Sequence, residues 1–117
     1  KRDIVAFIMV PAWVKEPSQT LIENIKANKC GDVELNYQTH RLNNEDCDAI
    51  SCRLRSLDVN KASDRVTIIY LPCYLDGNDG VLDIAYYDMM PGLDATVFPS
   101  YYEPWGYTPL ESIAFER

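Results

Sequence analysis

The chain has 117 residues, 47% of them hydrophobic and 25% charged, a composition that fits one globular domain or part of one and excludes a disordered segment. Its net charge is −7, from 11 basic and 18 acidic residues, with no basic stripe, which excludes the usual electrostatic footprint of a nucleic-acid binder. No apolar run reaches the roughly 20 residues of a membrane-spanning helix.

The chain opens on Lys1, directly before the first apolar run, "IVAFIMV" (4–10). Rich in Val and Ile and without polar alternation, this run predicts a strand buried on both faces, as in parallel sheets. "SQTLIENIKAN" (18–28) predicts a helix, with Leu21, Ile22 and Ile25 on one face and a capping box from Thr20 to Glu23. "DVELNYQTH" (32–40) alternates weakly and reads as a marginal strand. A second helix is expected over 43–57, where Cys47, Ile50, Leu54 and Leu57 form a stripe behind an acidic first turn.

"RVTIIYL" (65–71) predicts another buried strand, followed by a loop over 71–83 marked by two Asp-Gly pairs. A short helix is expected over 84–90 and a third strand in "DATVFPS" (94–100). The last helix is expected to begin near Thr108 and to be cut by the chain end in "ESIAFER". This order predicts an α/β fold: a partial doubly wound, Rossmann-like, mostly parallel sheet with flanking helices. Residues 1–117 then read as a fragment of a larger domain, and an unpaired sheet edge would invite self-association into a homo-oligomer.

The cysteines, Cys30, Cys47, Cys52 and Cys73, include no CxxC pair, and His40 alone is too few for a common zinc pattern. Buried reduced thiols, no metal and a cytoplasmic setting are expected, with no secretory signal read. His40 is expected to be a loop histidine in preference to a ligand.

"FPSYYEPWGYTPLE" (98–111) carries the chemistry. With Thr108 at the N-cap, Pro109 at N1 and Glu111 at N3, it reads as a capping box on a helix start. Gly106 just ahead allows close approach to free backbone N–H groups, an anion site suited to a phosphate or diphosphate. Glu103, stiffened by Pro104 and Trp105, places a carboxylate fit to bond a sugar hydroxyl or to stabilise developing positive charge. Plain structural roles for these residues, a tight turn at Gly106 and a solvated charge at Glu103, remain open on spacing alone. Glu103 and Glu111 as a glycosidase pair is disfavoured, because Glu111 points to the anion site. Tyr86 and Tyr87 are candidates to stack on a base.

"ATVFPSYYEPWGYTPLES" resembles the signature of the animal and fungal type of glycogen synthase, and the similarity extends more loosely through "IVAFIMVPA" and "THRLNNEDCDAISCRLRSLDVNKASDRVTIIYLPCYLD". It is weakest over 12–38. The resemblance implies a two-lobed retaining glycosyltransferase, of which this chain is a piece of the C-terminal, donor-binding lobe. It implies that Glu103 lies against the donor glucose and supports the transition state, and that Glu111 accepts bonds from the ribose hydroxyls of UDP. The backbone of Gly106, Tyr107 and Thr108 would receive the diphosphate, with Trp105 beside it and Tyr86 at the base-stacking position. "AYYDMM" departs from the family's more acidic stretch there, so Tyr87 competes with Tyr86. The implied partners are UDP-glucose and a glycogen or α-glucan acceptor, with no cofactor, nucleic acid or membrane. The family's diphosphate-clamping basic residues are not matched by any part of the chain, so the 117 residues alone are expected to be inactive. Two alternatives remain: a related retaining glycosyltransferase with another acceptor, and a non-catalytic sugar-nucleotide-binding or interaction module.

Overall fold

The computed structural model describes residues 3–27, 37–61 and 63–116. Cys30, the predicted strand's first residues over 32–36, and the side chain of Ile25 lie outside this description. The chain divides into two compact units, one of Lys1–Tyr74 with Asp79–Val81, the other of Leu75–Asn78 with Leu82–Arg117.

The first unit is built on two parallel strands, β1 (Ile4–Met9) and β4 (Val66–Leu71), in register from Ile4 opposite Val66 to Met9 opposite Leu71. Both are where the apolar runs predicted them. Their burial is graded, not uniform: Ile4 and Val5 are exposed, whereas Tyr70 and Leu71 at the far end of β4 are fully enclosed. The connection between the strands carries β2 (Val14–Pro17), α1 (Gln19–Lys26), β3 (His40–Leu42) and α2 (Ala49–Leu57). Gln38 makes a parallel bridge to Tyr70, and the Thr39 N–H donates to the Tyr70 carbonyl at 3.0 Å, so the described end of the marginal strand does meet β4.

β2 and β3 pair antiparallel, with a register shift between Val14 and Glu16. The sequence reading missed β2, because Lys15, Glu16 and Pro17 give it neither alternation nor β-propensity. Its partner strand, 23 or more residues away, is what makes it a strand.

Both helices of this unit start away from where spacing put them, α1 at Gln19 and α2 at Ala49, six residues after the predicted start at 43. The Leu21 N–H donates to Ser18 Oγ at 3.4 Å, so Ser18 and not Thr20 serves the start of α1. Asp48 is the N-cap of α2 and accepts from the Ser51 N–H at 2.7 Å. Residues 43–47 are therefore turns, not helix. Cys47 consequently falls off the helical stripe, and Cys47 and Cys52 are exposed thiols where buried ones were expected; Cys73 is half-buried. Leu54 carries the inward face of α2 and packs in a core with Leu42 and Tyr70, flanked by Ile8, Val14, Ile50 and Ile68. Asn60, at φ +65, stands in for a strand neighbour: its Oδ1 accepts from the Ile68 N–H at 2.7 Å and its Nδ2 donates to the Ile68 carbonyl at 2.8 Å. Gly80, at φ +81, packs where an added Cβ would lie 3.0 Å from Pro17 Cγ.

Tyr70 yields a prediction. Its ring is fully buried, and its hydroxyl has no hydrogen-bond partner among the described residues. Burial first, then the Asp48 carboxylate, push the phenol up to about 12. The folded state therefore holds the proton more tightly than the unfolded chain, where the phenol titrates near about 10. This stabilising contribution is whole below pH ~10 and is lost as pH rises from there through about 12. Tyr70→Phe is expected to change stability at pH 7 by less than about 1 kcal/mol, since the lost hydroxyl makes no hydrogen bond among the described residues. It is also expected to blunt the alkaline loss of stability. Urea unfolding at pH 7 and pH 11 reads both effects; an identical alkaline fall in the variant would remove Tyr70 as its cause.

The second unit holds α3 (Tyr86–Met89), a 3-10 turn over Met90–Gly92 and α4 (Tyr107–Ala114). Asp76 bridges Ala85, and the Tyr86 N–H donates to the Leu75 carbonyl at 2.9 Å, closing the loop that leads into α3. Met90 and Ser112 are its buried anchors, with Ser112 Oγ 2.6 Å from Thr96 Oγ1. The predicted strand over 94–100 is not one: among the described residues nothing pairs with it, and Val97 is 82% exposed. Apolar β-formers make a strand only where a neighbour completes the ladder.

Among the described residues no helix is long and apolar enough to cross a membrane.

Candidate functional site

The helix start in the second unit differs from the predicted capping box. α4 begins at Tyr107, and its N-cap is Gly106, with extended backbone and no side-chain cap. Thr108 is thus the second helical residue, Pro109 the third and Glu111 the fifth. Proline's fixed φ suits any position of a first turn, so it did not define the first residue. In this register the backbone N–H groups of Gly106, Tyr107 and Thr108 have no partner within the helix, and Pro109 has none to offer. The three residues proposed to receive a diphosphate are therefore the three that carry the unsatisfied donors of the helix start.

Glu103 lies directly against this start. A Cβ added to Gly106 would sit 2.9 Å from Glu103 Cγ, closer than real Cβ atoms approach, and 3.1 Å from Pro109 Cδ, tighter than most do. Only a glycine leaves room for the Glu103 side chain where it lies beside the helix start. Ser100 Oγ donates to Glu103 Oε2 at 2.7 Å and holds the carboxylate's direction. The turn at Pro104 and Trp105 sits between Glu103 and the helix, and the Trp105 ring meets Tyr107 edge-on at 6.4 Å. Tyr101, Tyr102, Trp105 and Tyr107 are all strongly exposed, so the bulky material of this segment is presented at the surface and not used as core.

Glu111, released from capping, accepts a 2.7 Å hydrogen bond at Oε1 from the Tyr87 hydroxyl. The Tyr87 ring stacks on Phe115, with centroids 5.9 Å apart and planes at 26°. It also meets Tyr86 at a centroid distance of 5.4 Å, with the planes at 62°. The bond to Glu111 raises the Tyr87 phenol above its ordinary value; burial, and then the Glu111 charge, raise Tyr86. Tyr86, Tyr87 and Glu111 are thus one cluster, and Glu103, Gly106 and the first turn of α4 are another in the same unit.

Sequence reasoning put Tyr86 at the stacking position with Tyr87 as its competitor, and missed the bond from Tyr87 to Glu111, because 24 residues separate them and no local spacing couples them. Ser100 was also missed, although its place three residues before Glu103 is a local signal of the kind that side-chain hydrogen bonds leave.

In the first unit His40 is buried, not a loop histidine. Its Nε2 lies 2.8 Å from the Asp79 carbonyl, which only accepts, so Nε2 carries a proton; Nδ1 faces Thr39 Oγ1 at 2.9 Å. His40, Cys73 and Asp79 bring ligand-type atoms within 4.8 Å of one another. With Nε2 donating to a carbonyl, the ring ties β3 to the 79–81 loop.

The chain matches the model of one protein family, described as glycogen synthase, over residues 18–115. The chain belongs to the glycogen synthase family. The match takes in most of the stretch where the resemblance is weakest. The chain is 42% identical over 74 residues to glycogen [starch] synthase isoform 2 of Saccharomyces cerevisiae, which is 62% of this chain and 10% of that protein. It is 43% identical over 74 residues to the glycogen [starch] synthase of Neurospora crassa, again 62% of this chain and 10% of the relative. It is 39% identical over 74 residues to the human liver glycogen [starch] synthase, with the same two shares. The chain thus matches about a tenth of the length of these glycogen synthases.

Proposed function

We propose that the full-length protein bearing this chain transfers glucose from UDP-glucose to the 4-hydroxyl at the non-reducing end of an α-1,4-glucan, with retention at the anomeric carbon. In this reading the chain is a piece of the donor-binding lobe, and the protein works in the cytoplasm, where the exposed thiols of Cys47 and Cys52 stay reduced.

The observation that carries the reading is the helix start at Gly106, without a side-chain cap and with the Glu103 side chain against it. Cleavage of the sugar–diphosphate bond builds negative charge on the leaving group and oxocarbenium character on glucose. The N–H groups of Gly106, Tyr107 and Thr108, at the positive end of the helix dipole, meet the first. The Glu103 carboxylate meets the second, and both charges grow towards the transition state, so both contacts favour it over the bound donor. Glu111 receives the ribose hydroxyls, Tyr86 offers its ring to the base, and Trp105 borders the diphosphate.

The test is labelled glucose transfer by the full-length protein from UDP-glucose and ADP-glucose onto glycogen. Transfer favouring UDP-glucose, with α-linked product, is the expected result. A well-folded full-length protein that transfers from neither donor would overturn the reading. The 117 residues alone are expected to transfer nothing.

A further inference from the structure

We propose that Tyr87 is a positioning residue for Glu111: its hydroxyl occupies Oε1 and so turns the rest of the carboxylate to the ribose hydroxyls of the donor. This rests on the placement of Glu111 at the ribose in the reading above, and adds a residue to which that reading gives no such role.

The geometry is specific. Glu111 lies in the second turn of α4, where helical side chains lean back towards the N-terminus and the bare first turn. A glutamate on a helix surface has three rotatable bonds and would sample several directions. Here one oxygen accepts a 2.7 Å bond from Tyr87, a half-exposed donor whose ring has two aromatic neighbours. The Tyr87 ring stacks on Phe115, the C-cap residue of α4, and meets its α3 neighbour Tyr86 at an interplanar angle of 62°, so the hydroxyl does not swing without disturbing two aromatic contacts. A carboxylate offers about four lone-pair sites, and one tyrosine uses a single one. The remaining sites are held in a constant direction, which suits a pair of adjacent hydroxyls. Glu111 does not have to be ordered when the nucleotide arrives, and the gain appears as tighter donor binding, not as a faster chemical step.

Tyr87→Phe removes the hydroxyl and keeps both ring contacts. In the full-length enzyme it is expected to raise KM for UDP-glucose about 5- to 10-fold, with kcat within about twofold, the scale of one hydrogen bond to an exposed carboxylate. A purely structural role would not move a second readout, the preference for UDP-glucose over its 2′-deoxyribose and 3′-deoxyribose analogues. That preference is expected to shrink in Tyr87→Phe, because a wandering carboxylate no longer rewards the hydroxyl. Glu111→Gln serves as the control on the underlying placement. If Glu111→Gln raises KM while Tyr87→Phe matches the parent, the positioning role is overturned and the ribose site stands. If Glu111→Gln leaves KM and the analogue preference untouched, the ribose placement falls and the inference with it. A Tyr87→Phe that lowers KM would mean that the hydroxyl competes with ribose, which also overturns positioning. A variant that loses kcat while its analogue preference is unchanged does the same.

Discussion

Glu103→Gln is expected to lower the rate of glucose transfer by the full-length enzyme by about 10²- to 10³-fold, the usual scale for removing one preorganised charge that faces the transition state. The substitution keeps the shape and one acceptor oxygen, turns the other oxygen into an NH2 donor and removes the negative charge. Glu103 is exposed, and its bond from Ser100 is within its own loop. Stability should therefore stay within about 0.5 kcal/mol of the parent. Donor KM should change far less than kcat, because an interaction that matters only as positive charge develops adds little to ground-state binding. A kcat within twofold of the parent would refute the role given to Glu103, and an equal loss in KM would place it in ground-state binding.

Gly106→Ala should have the second-largest effect, and for a purely steric reason. The backbone at Gly106 has φ −82 and ψ 103, which alanine adopts without strain. What alanine does not tolerate is the space: its Cβ would meet Glu103 Cγ at 2.9 Å and Pro109 atoms at 3.1 and 3.2 Å. Pro109 is a rigid ring at the third helical position, so the Glu103 side chain is the group that moves. The variant is expected to lose at least ~10-fold in kcat/KM, at a stability cost of about 1–3 kcal/mol from overpacking. Far-UV circular dichroism and urea unfolding would show that it remains folded. The decisive comparison is with the double variant. If alanine acts by displacing Glu103, Gly106→Ala should cost much less in a Glu103→Gln background than in the parent. Full additivity would mean that the glycine matters through the N–H cradle instead.

The two substitutions probe a segment that the sequence already marked. Gly106, Pro109 and the glutamate pair were legible because each has a local backbone meaning: glycine permits contact, proline suits a first turn, and a carboxylate beside a helix start has an electrostatic role. The apolar runs that became β1 and β4, and the stripe around Leu54, were legible for the same reason, since burial of a strand or a helix face leaves a period in the chain.

What local chemistry did not fix was which of several compatible partners each group would take. Thr108 and Glu111 have the spacing of a capping box, yet α4 starts at Tyr107, and Glu111 bonds Tyr87 from another helix. Val14–Pro17 has no strand signal and is a strand because His40–Leu42 lies beside it. "DATVFPS" has the signal and forms none among the described residues, because no ladder partner meets it. His40 looked like a loop residue and is buried between Thr39 and the Asp79 carbonyl.

The sequence by itself determined the family, the two principal strands, the inward face of α2 and a helix start left open by glycine and proline. Only the tertiary structure decided that Glu111 is held by Tyr87 and not by the start of its own helix. The physical reason is range: backbone preferences act within a turn or two of chain, whereas a hydrogen bond between residues 24 apart exists only once the fold has brought them together.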